Sequence, residues 1–453
     1  MSKYYLKADY DIESLKFCKT EDTIVVDIPM LLHGKLNYGL EHVKNLLRSY
    51  NIFPSERGFD ILTLATMVYL ADTRIARLIH GQDSWTREIV IQLPVSDVDL
   101  WNKQITTVER MLKFLTGDLW GFEFVKRNWS FEQNEKAKEK IALYSRASLF
   151  SGGMDSLIST INLMEQKENT LLLGHAGEGL TKNAQTNILD VLNAKYPDIE
   201  HTLIDLWMSF PDNYIPEGGN DSNTRSRSFL FIGFALFSIT GTKNIKELMI
   251  PENGLIALNV PLEITRVGSF STRTTHPFYL NLWNDLLKKL GLELSVYNPY
   301  WKKTKGEMAD ECLNKDVLFE TMGLSFSCSS PGKSRWKGLS PQHCGYCVPC
   351  LIRRAAMHKA FGRDSTVYTE TSIHHMQSSN ASGIGVQLRS FQYAIEHIKK
   401  RPDIERISIH KSGPLSQDEG YLSELASIYR RGLLEVDMFI QDMLHHEECR
   451  HDL

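Results

Sequence analysis

Apolar and polar residues follow two regular patterns in the central part of the chain. Short apolar runs typical of buried strands alternate with longer segments in which apolar residues recur every three or four positions, as in amphipathic helices. The runs lie at 147–150, 170–173, 201–204, 247–250 and 293–297, and the helical segments lie at 156–166, 181–195, 226–240 and 277–290. Because strands that alternate with helices form a parallel sheet, we predict an α/β fold. It has a parallel five-stranded sheet with helices on both faces.

One of these helical segments, 226–240, is apolar on every side. It contains the run Phe229–Phe237, which has no polar residue. Such a helix is buried in a core or spans a membrane, but this run is shorter than the about 20 residues that a bilayer requires. We therefore predict a buried helix. Since the first nine residues also lack the apolar core of a signal peptide, we expect a cytoplasmic protein with no membrane partner.

The regions on either side of the central part show weaker patterns. Residues 1–140 contain strand-like runs and helical segments without regular alternation, which predicts an α+β accessory domain ending in a charged linker. Residues 361–453 carry helical spacing, and these helices could cap the core, form a homodimer face or bind a partner. The elements predicted here are strands at 23–28 and 87–93, and helices at 60–70, 101–115, 386–399 and 421–444.

Composition narrows the class of protein. With 453 residues, of which 42% are hydrophobic, the chain can bury two or three cores. Its net charge is −4 and its isoelectric point is near 6.4. Because nucleic-acid-binding surfaces are basic, we expect no nucleic acid partner.

The segment with the most chemical information follows the first central strand. It reads Ser-Gly-Gly-Met-Asp-Ser and comprises Ser151, Gly152, Gly153, Met154, Asp155 and Ser156. Glycines allow the backbone to approach an anion closely, and exposed N–H groups at a helix start attract phosphate. The serine hydroxyls add donors, and the aspartate carboxylate can hold Mg²⁺. We predict that this loop binds the phosphates of a nucleotide. An ordinary glycine-rich turn is the alternative.

A second signal lies in the cysteines. Four of the seven are grouped as Cys328, Cys344, Cys347 and Cys350, and four thiolates match a closed, tetrahedral Zn²⁺ site. Disulfides are the alternative, but they occur mainly in secreted proteins. We predict a structural zinc knuckle, with His343 as a neighbour of the metal rather than a ligand.

Together the two motifs resemble a known family. Phe150-Ser-Gly-Gly-Met-Asp-Ser156, followed by His343-Cys-Gly-Tyr-Cys-Val-Pro-Cys350, is similar to the PP-loop and cysteine knuckle of QueC, the 7-cyano-7-deazaguanine synthases. The similarity covers roughly residues 147–360. It implies a PP-loop (HUP-type) sheet, ATP, Mg²⁺ and Zn²⁺ as ligands, and a deazaguanine substrate.

The resemblance also implies roles for residues between the two motifs. Arg227 and Lys305 would contact phosphate or carboxylate groups, Glu252 would recognise a guanine-like base, and Glu307 would orient Lys305 or bind metal. The predicted catalytic residues are Asp155, Ser156 and Lys305. For either basic residue taken alone, a surface ion pair is an equally good explanation.

The chain differs from QueC enzymes in its length. The resemblance divides it into an N-terminal accessory domain (1–140), a PP-loop ATP pyrophosphatase domain (141–320), a zinc-binding segment (321–360) and a C-terminal extension (361–453). Both flanking regions are additions, and the family's Arg-Asn pair reads Arg227-Ser228. These features resemble the enlarged, QatC-like branch found in bacterial antiviral operons.

The expected reaction is adenylation of 7-carboxy-7-deazaguanine, followed by attack of an amine with release of AMP. The amine could belong to a partner protein from the same operon. Three other functions stay open: synthesis of the nitrile for queuosine-type pathways, a tRNA-modifying PP-loop enzyme, and a non-catalytic nucleotide-binding scaffold in a defence complex.

Overall fold

A five-stranded sheet forms the N-terminal part of the protein in the computed structural model, which describes residues 3–131, 143–175, 179–221, 224–262, 273–379 and 383–451. The order of its strands is β2-β3-β1-β6-β7. The strands are β1 (Lys3–Asp9), β2 (Lys16–Lys19), β3 (Thr23–Pro29), β6 (Glu88–Val95) and β7 (Leu119–Lys126), and a hairpin of β4 (Leu31–Leu32) and β5 (Lys35–Leu36) follows β3. The helices of this part are α1 (Leu40–Ser49), α2 (Glu56–Arg74), α3 (Arg77–His80), α4 (Val98–Asn102) and α5 (Ile105–Thr116).

The strands of this sheet are mostly parallel. β1 pairs in parallel with β3 and β6, and β6 pairs in parallel with β7; β2 pairs antiparallel with β3. Helices lie between β3 and β6 and between β6 and β7 along the chain, whereas β2 lies between β1 and β3. The sheet is therefore mixed and closer to the α/β type than to the α+β type expected from the sequence. The expectation failed because β1 and β7 were not recognised as strands. Most of the predicted linker at 126–140 lies outside the described residues.

The central part contains the predicted parallel five-stranded sheet. Each expected strand and helix is present, with its ends shifted by a few residues. The strands are β8 (Arg146–Leu149), β9 (Thr170–His175), β10 (His201–Leu206), β11 (Glu247–Met249) and β12 (Ser295–Tyr297). The helices are α6 (Met154–Glu165), α7 (Gly179–Lys195), α8 (Arg227–Ile239), α9 (Gly254–Leu258) and α10 (Pro277–Lys289).

Helices cover both faces of the central sheet. Side chains alternate between the faces of a strand: in β9, Leu171 and Leu173 belong to one core and Leu172 to another. The first core contains α8 and α10, and the second contains α6 and α7. The sheet is therefore buried on both sides, as its continuous apolar runs predict.

One core joins the central sheet to the N-terminal sheet. Helix α2 is buried along most of its length. It packs against α8, and α8 is the helix predicted from the all-apolar run. The two helices approach closely: a β-carbon added at Gly233 would lie 2.9 Å from the Cβ of Ala65. Residues of both sheets contribute to this core, so the accessory region and the central region share their interior.

A buried ion cluster strengthens the connection between these two parts. Asp72 and Asp118 lie between the guanidinium groups of Arg77 and Arg87. The other oxygen of Asp72 accepts a hydrogen bond from the backbone N–H of Ser226, at 2.7 Å, immediately before α8. Arg87 is only 1% exposed. Because each charge has partners, the desolvation cost is offset within the cluster.

The rest of the chain is helical and encloses the cysteines. The helices are α11 (Lys305–Asp310), α12 (Lys315–Met322), α13 (Val348–Phe361), α14 (Ile373–Ser378), α15 (Gly383–Lys400), α16 (Ile404–Ser408) and α17 (Glu419–His451), with 3₁₀ turns at Pro331–Lys337 and Ile409–Ser412. A separate core combines the cysteine segment with α15 and α17. In the described part of the chain, no helix is both long and apolar enough to cross a membrane.

Candidate functional site

The strand order of the central sheet creates a crevice at one point. The order is β10-β9-β8-β11-β12, so the chain builds outward from β8 in one direction and then, from β11, in the other. Loops that leave the carboxyl ends of β8 and β11 diverge, and ligands of open α/β sheets bind in such crevices. The segment Ser151–Ser156, called the glycine loop from here on, follows β8 at this position.

The glycine loop is closed by hydrogen bonds among its own residues. The hydroxyls of Ser151 and Ser156 lie 3.2 Å apart, the Gly153 N–H donates to Ser151 Oγ, and Ser156 Oγ donates to the Gly153 carbonyl. Gly152 has φ 75°, which favours glycine. Ser151 is exposed. The Met154 side chain is fully buried in the core, so this residue offers a ligand only its backbone.

Asp155 is the meeting point of three loops. Its Oδ1 lies 2.8 Å from Nζ of Lys305, which follows β12. Its Oδ2 accepts hydrogen bonds from Nδ2 and the backbone N–H of Asn253, which follows β11, at 2.8 and 3.1 Å. Asp155 and Lys305 are both mostly buried. The structure therefore brings together Asp155 and Lys305, which the sequence placed 150 positions apart.

Glu252 lies beside this group. Thr275 donates a hydrogen bond to its carboxylate, and Asn298 fixes its backbone through two hydrogen bonds. Burial raises the pKa of Glu252 to about 7, with Asp155 as a further cause and the Thr275 hydrogen bond opposing it. A carboxyl group with this pKa can donate or accept a proton near neutral pH.

Arg227 begins α8 and lies near His175 at the carboxyl end of β9. Its guanidinium is 5.1 Å from the ring centre of Phe231. The neighbouring His175 is buried, and neither of its ring nitrogens has a hydrogen-bond partner. Burial, and then the charge of Arg227, lower the pKa of His175 to about 3, so its ring is neutral. Unpaired buried polar atoms of this kind are rare unless a ligand or water satisfies them.

Glu307 has a different role from the one expected. Its carboxylate accepts the backbone N–H of Thr304 in a capping box at the start of α11, and it pairs with Arg431 of α17 at 2.9 Å. Lys359 of α13 lies 3.7 Å from the same carboxylate. All of these partners of Glu307 lie in the helices α13 and α17 or at the start of α11. Glu307 therefore stabilises α11 instead of orienting Lys305.

The four predicted metal ligands are gathered in one place. The sulfur atoms of Cys328, Cys344, Cys347 and Cys350 all lie within 4.8 Å of one another. The distances between Cys328 and Cys347 and between Cys344 and Cys350 are both 3.9 Å. Four sulfurs around one tetrahedral Zn²⁺ would be about 3.8 Å apart, whereas a disulfide requires about 2.05 Å. This buried cluster can hold a metal ion.

Backbone groups around the cluster favour thiolates. The N–H groups of Ser330 and Cys344 point at the sulfur of Cys328, and that of Cys347 points at the sulfur of Cys344, each at 3.3 Å. Since metals bind the deprotonated sulfur, this surrounding fits a metal site. His343 lies nearby, and its Nε2 accepts from the Ser327 N–H at 3.4 Å.

The cysteine segment also contacts the glycine loop directly. The backbone N–H of Phe326, two residues before Cys328, donates to the Gly152 carbonyl at 2.8 Å. A β-carbon at Gly153 would lie 3.7 Å from the Phe326 carbonyl oxygen. The cysteine cluster and the glycine loop are therefore connected through a few residues of backbone.

Sequence reasoning missed several residues of this site. Asn253 was not predicted as a site residue, although its position just after a strand was a usable signal. His175 lies two residues beyond the predicted strand at 170–173 and was not predicted either. Gln185 of α7, fully buried with its Nε2 on the Phe150 carbonyl at 2.7 Å and its Oε1 unpaired, carried no signal, because helical spacing does not reveal which polar residue faces a loop.

Comparison with protein-family models finds no match for the chain, and comparison with curated proteins finds none either. The resemblance to QueC enzymes therefore depends on the sequence motifs alone.

Proposed function

We propose that this protein is an ATP-dependent, AMP-forming enzyme that joins a deazaguanine carboxylate to an amine. The observation that carries the proposal is the contact between Asp155 and Lys305 beside a glycine loop at the topological switch point. Asp155 and Lys305 follow two different strands and meet at the glycine loop. A carboxylate and an ammonium group in this position suit a bound nucleoside triphosphate and its metal. The sheet is accordingly assigned to the PP-loop (HUP) type.

The reaction has two steps. The substrate carboxylate attacks the α-phosphorus of ATP, which forms an acyl-adenylate and breaks the bond to the departing pyrophosphate. An amine then attacks the acyl carbon, an amide forms, and AMP and a proton leave. Backbone N–H groups of the glycine loop and the Lys305 ammonium would stabilise charge on the pyrophosphate. Asp155 would hold Mg²⁺, which supplies further charge neutralisation.

The remaining residues of the crevice suit the rest of the substrates. The neutral His175, Arg227 and the Phe231 ring offer an aromatic and polar surface for the nucleoside part of ATP. Glu252, with its pKa of about 7, would pair with the donor edge of a guanine-like base or accept the proton of the amine. The cysteine cluster would hold a structural Zn²⁺, with all four positions occupied by protein.

The position of the cysteines disfavours the tRNA-thiolating alternative. Such an enzyme needs a reactive thiolate near the nucleotide. Four cysteines are committed to the proposed metal cluster. Cys312 lies in the core beside the C-terminal part of α6, and burial raises its pKa to about 11. Two parts of the proposal depend on resemblance alone. They are the deazaguanine substrate and the QatC-like assignment, with a partner protein's amine as acceptor in an antiviral setting in the cytoplasm.

The first test is a reaction with Mg-ATP and 7-carboxy-7-deazaguanine, with and without ammonium, followed by mass spectrometry. Amide or nitrile together with AMP supports the QueC-like reaction. A trapped adenylate without product indicates another amine, to be sought among partner-protein amino termini. If ATP is not consumed under any of these conditions, the enzyme proposal is wrong and the scaffold function is favoured.

A single substitution tests the role of Asp155. We expect Asp155→Asn to reduce AMP release by about 100-fold or more, because the amide cannot neutralise the metal, while the melting temperature changes little. Asp285→Asn is the matched control: Asp285 is also paired with a lysine, at 2.6 Å, but on the outer surface of α10. An active Asp155→Asn enzyme would contradict the metal-binding role.

A further inference from the structure

Lys305 begins α11, a helix of only six residues that packs against α13. Its first turn is also held by the C-terminal helix α17. Glu435 of α17 accepts a hydrogen bond from the backbone N–H of Gly306 at 2.8 Å and another from the hydroxyl of Thr304. The residue between these two partners is Lys305.

The contact is enclosed and specific. Glu435 is 5% exposed and Thr304 is 1% exposed. A β-carbon at Gly306 would lie 2.6 Å from Cδ of Glu435, so only glycine lets the carboxylate reach the N–H at this position. Lys359 of α13 balances the charge of Glu435 at 3.2 Å. A buried carboxylate that accepts backbone N–H bonds is a strong anchor, because these bonds are charge-assisted.

From this geometry we infer that Glu435 is a positioning residue for the reaction in the crevice. It holds the backbone N–H of Gly306 and the hydroxyl of Thr304, on either side of Lys305, and thereby places the ammonium group 2.8 Å from Asp155. Glu435 does not itself touch the glycine loop through any contact in the described structure. The C-terminal region is thus part of the catalytic apparatus rather than a cap. This inference rests on the proposed function only for its kinetic consequence.

The chain supplies a matched control on the same helix. Glu447 of α17 also accepts backbone N–H groups at a helix start, those of Ile373 and His374 at 2.9 and 3.0 Å. These belong to α14, which lies away from the crevice. If loss of a glutamate acted only by weakening the packing of α17, substitutions of Glu435 and Glu447 would have the same effect on the reaction. If Glu435 positions Lys305, only its own substitution affects the reaction.

The experiment compares Glu435→Ala, Glu435→Gln, Gly306→Ala and Glu447→Ala in the full chain. We expect kcat/KM for ATP to fall about tenfold or more in Glu435→Ala and Gly306→Ala, because small misplacements of a reacting group are costly. Glu435→Gln keeps an acceptor for the Gly306 N–H and should recover most of the activity. Glu447→Ala should stay close to the unchanged protein.

A second readout does not depend on ATP. The rate at which Lys305 is acetylated by sulfo-N-hydroxysuccinimide acetate, followed by peptide mass spectrometry, should rise in Glu435→Ala and Gly306→Ala but not in Glu447→Ala. If this pattern is found while the unchanged protein releases no AMP, the positioning role stands and the proposed function fails. Unchanged acetylation and unchanged kcat/KM in folded Glu435→Ala would overturn the inference. If Glu435→Ala does not fold, the Gln and Gly306→Ala variants decide by the same criteria.

Discussion

Asp155 receives its partners from the segments that follow two different strands, β11 and β12. Lys305 and Asn253 hold its two oxygens, so the carboxylate is oriented and its charge is partly neutralised. In the proposed reaction, a site prepared in this way would have less reorganisation to complete when ATP and its metal bind. A metal bound at Asp155 would displace Lys305 or share the carboxylate with it.

Protonation of a buried histidine should control acid stability. His276 is fully buried, and its Nδ1 accepts the Phe278 N–H at the start of α10. Burial, with the charge of Arg273 as a second cause, lowers its pKa to about 3. The neutral ring is therefore favoured in the folded state. The stability that this provides is present above pH 6.5 and is lost as the pH falls toward 3.

We expect His276→Asn to flatten the decline of stability below pH 6.5. The asparagine can still cap the helix but does not ionise, and the full shift corresponds to on the order of 5 kcal/mol. Urea midpoints measured between pH 7 and 4.5 would test this. His42→Asn, which changes an exposed histidine of α1, is the control. The same slope for His276→Asn and the unchanged protein would contradict the prediction.

At the scale of elements, the cysteine knuckle contacts parts of the chain that lie well outside the cysteine segment. Its sulfurs lie in the core that includes α15 and α17, and the segment before it reaches the glycine loop through Phe326. A metal bound there would hold these elements together, because structural zinc contributes folding free energy directly.

Substitution of one ligand should therefore remove the metal and destabilise this core. We expect about one zinc per chain in the unchanged protein and little in Cys350→Ser, with a lower melting temperature. Metal content is measured by inductively coupled plasma mass spectrometry. Cys18→Ser, at an exposed thiol on the edge strand β2, should change neither quantity. Full zinc content in Cys350→Ser would show that the cluster is not the metal site.

The elements of the central sheet could be predicted because their periodicity is strong and local. The four ligands could be predicted because three of them lie within seven residues. Strand β1 was missed although alternate residues are buried, since tyrosine and lysine on a half-exposed strand give a weak signal. The contact of Glu435 with Gly306 spans 129 positions, and no local pattern reveals such a pairing.

At the scale of the whole molecule, the crossing of α2 and α8 connects the two sheets. Ala65 and Gly233 allow the helices to meet, and the side chains around them belong to a single core. The N-terminal and central parts should therefore unfold together, because neither can expose its half of this core without cost.

A bulky residue at this crossing tests the shared core. We expect Gly233→Val to cost about 1–3 kcal/mol, since overpacking forces the helices apart, and to reduce protection from hydrogen exchange in both β6 and β9. Gly323→Ala is the control, because a β-carbon there would meet no atom within 4 Å. Loss of protection in only one of the two sheets would show that they are independent.

The core that the two sheets share also has a consequence for how this protein evolves. A region acquired by simple gene fusion keeps a surface of its own and can be lost again without harm to its host. In this protein, loss of the first 131 residues would expose the apolar side of α8 to water. Loss of α8 would in turn expose the apolar side of α2. Descendants of such a chain must inherit both parts together, and small residues at the Ala65–Gly233 crossing should be kept in every lineage that retains them.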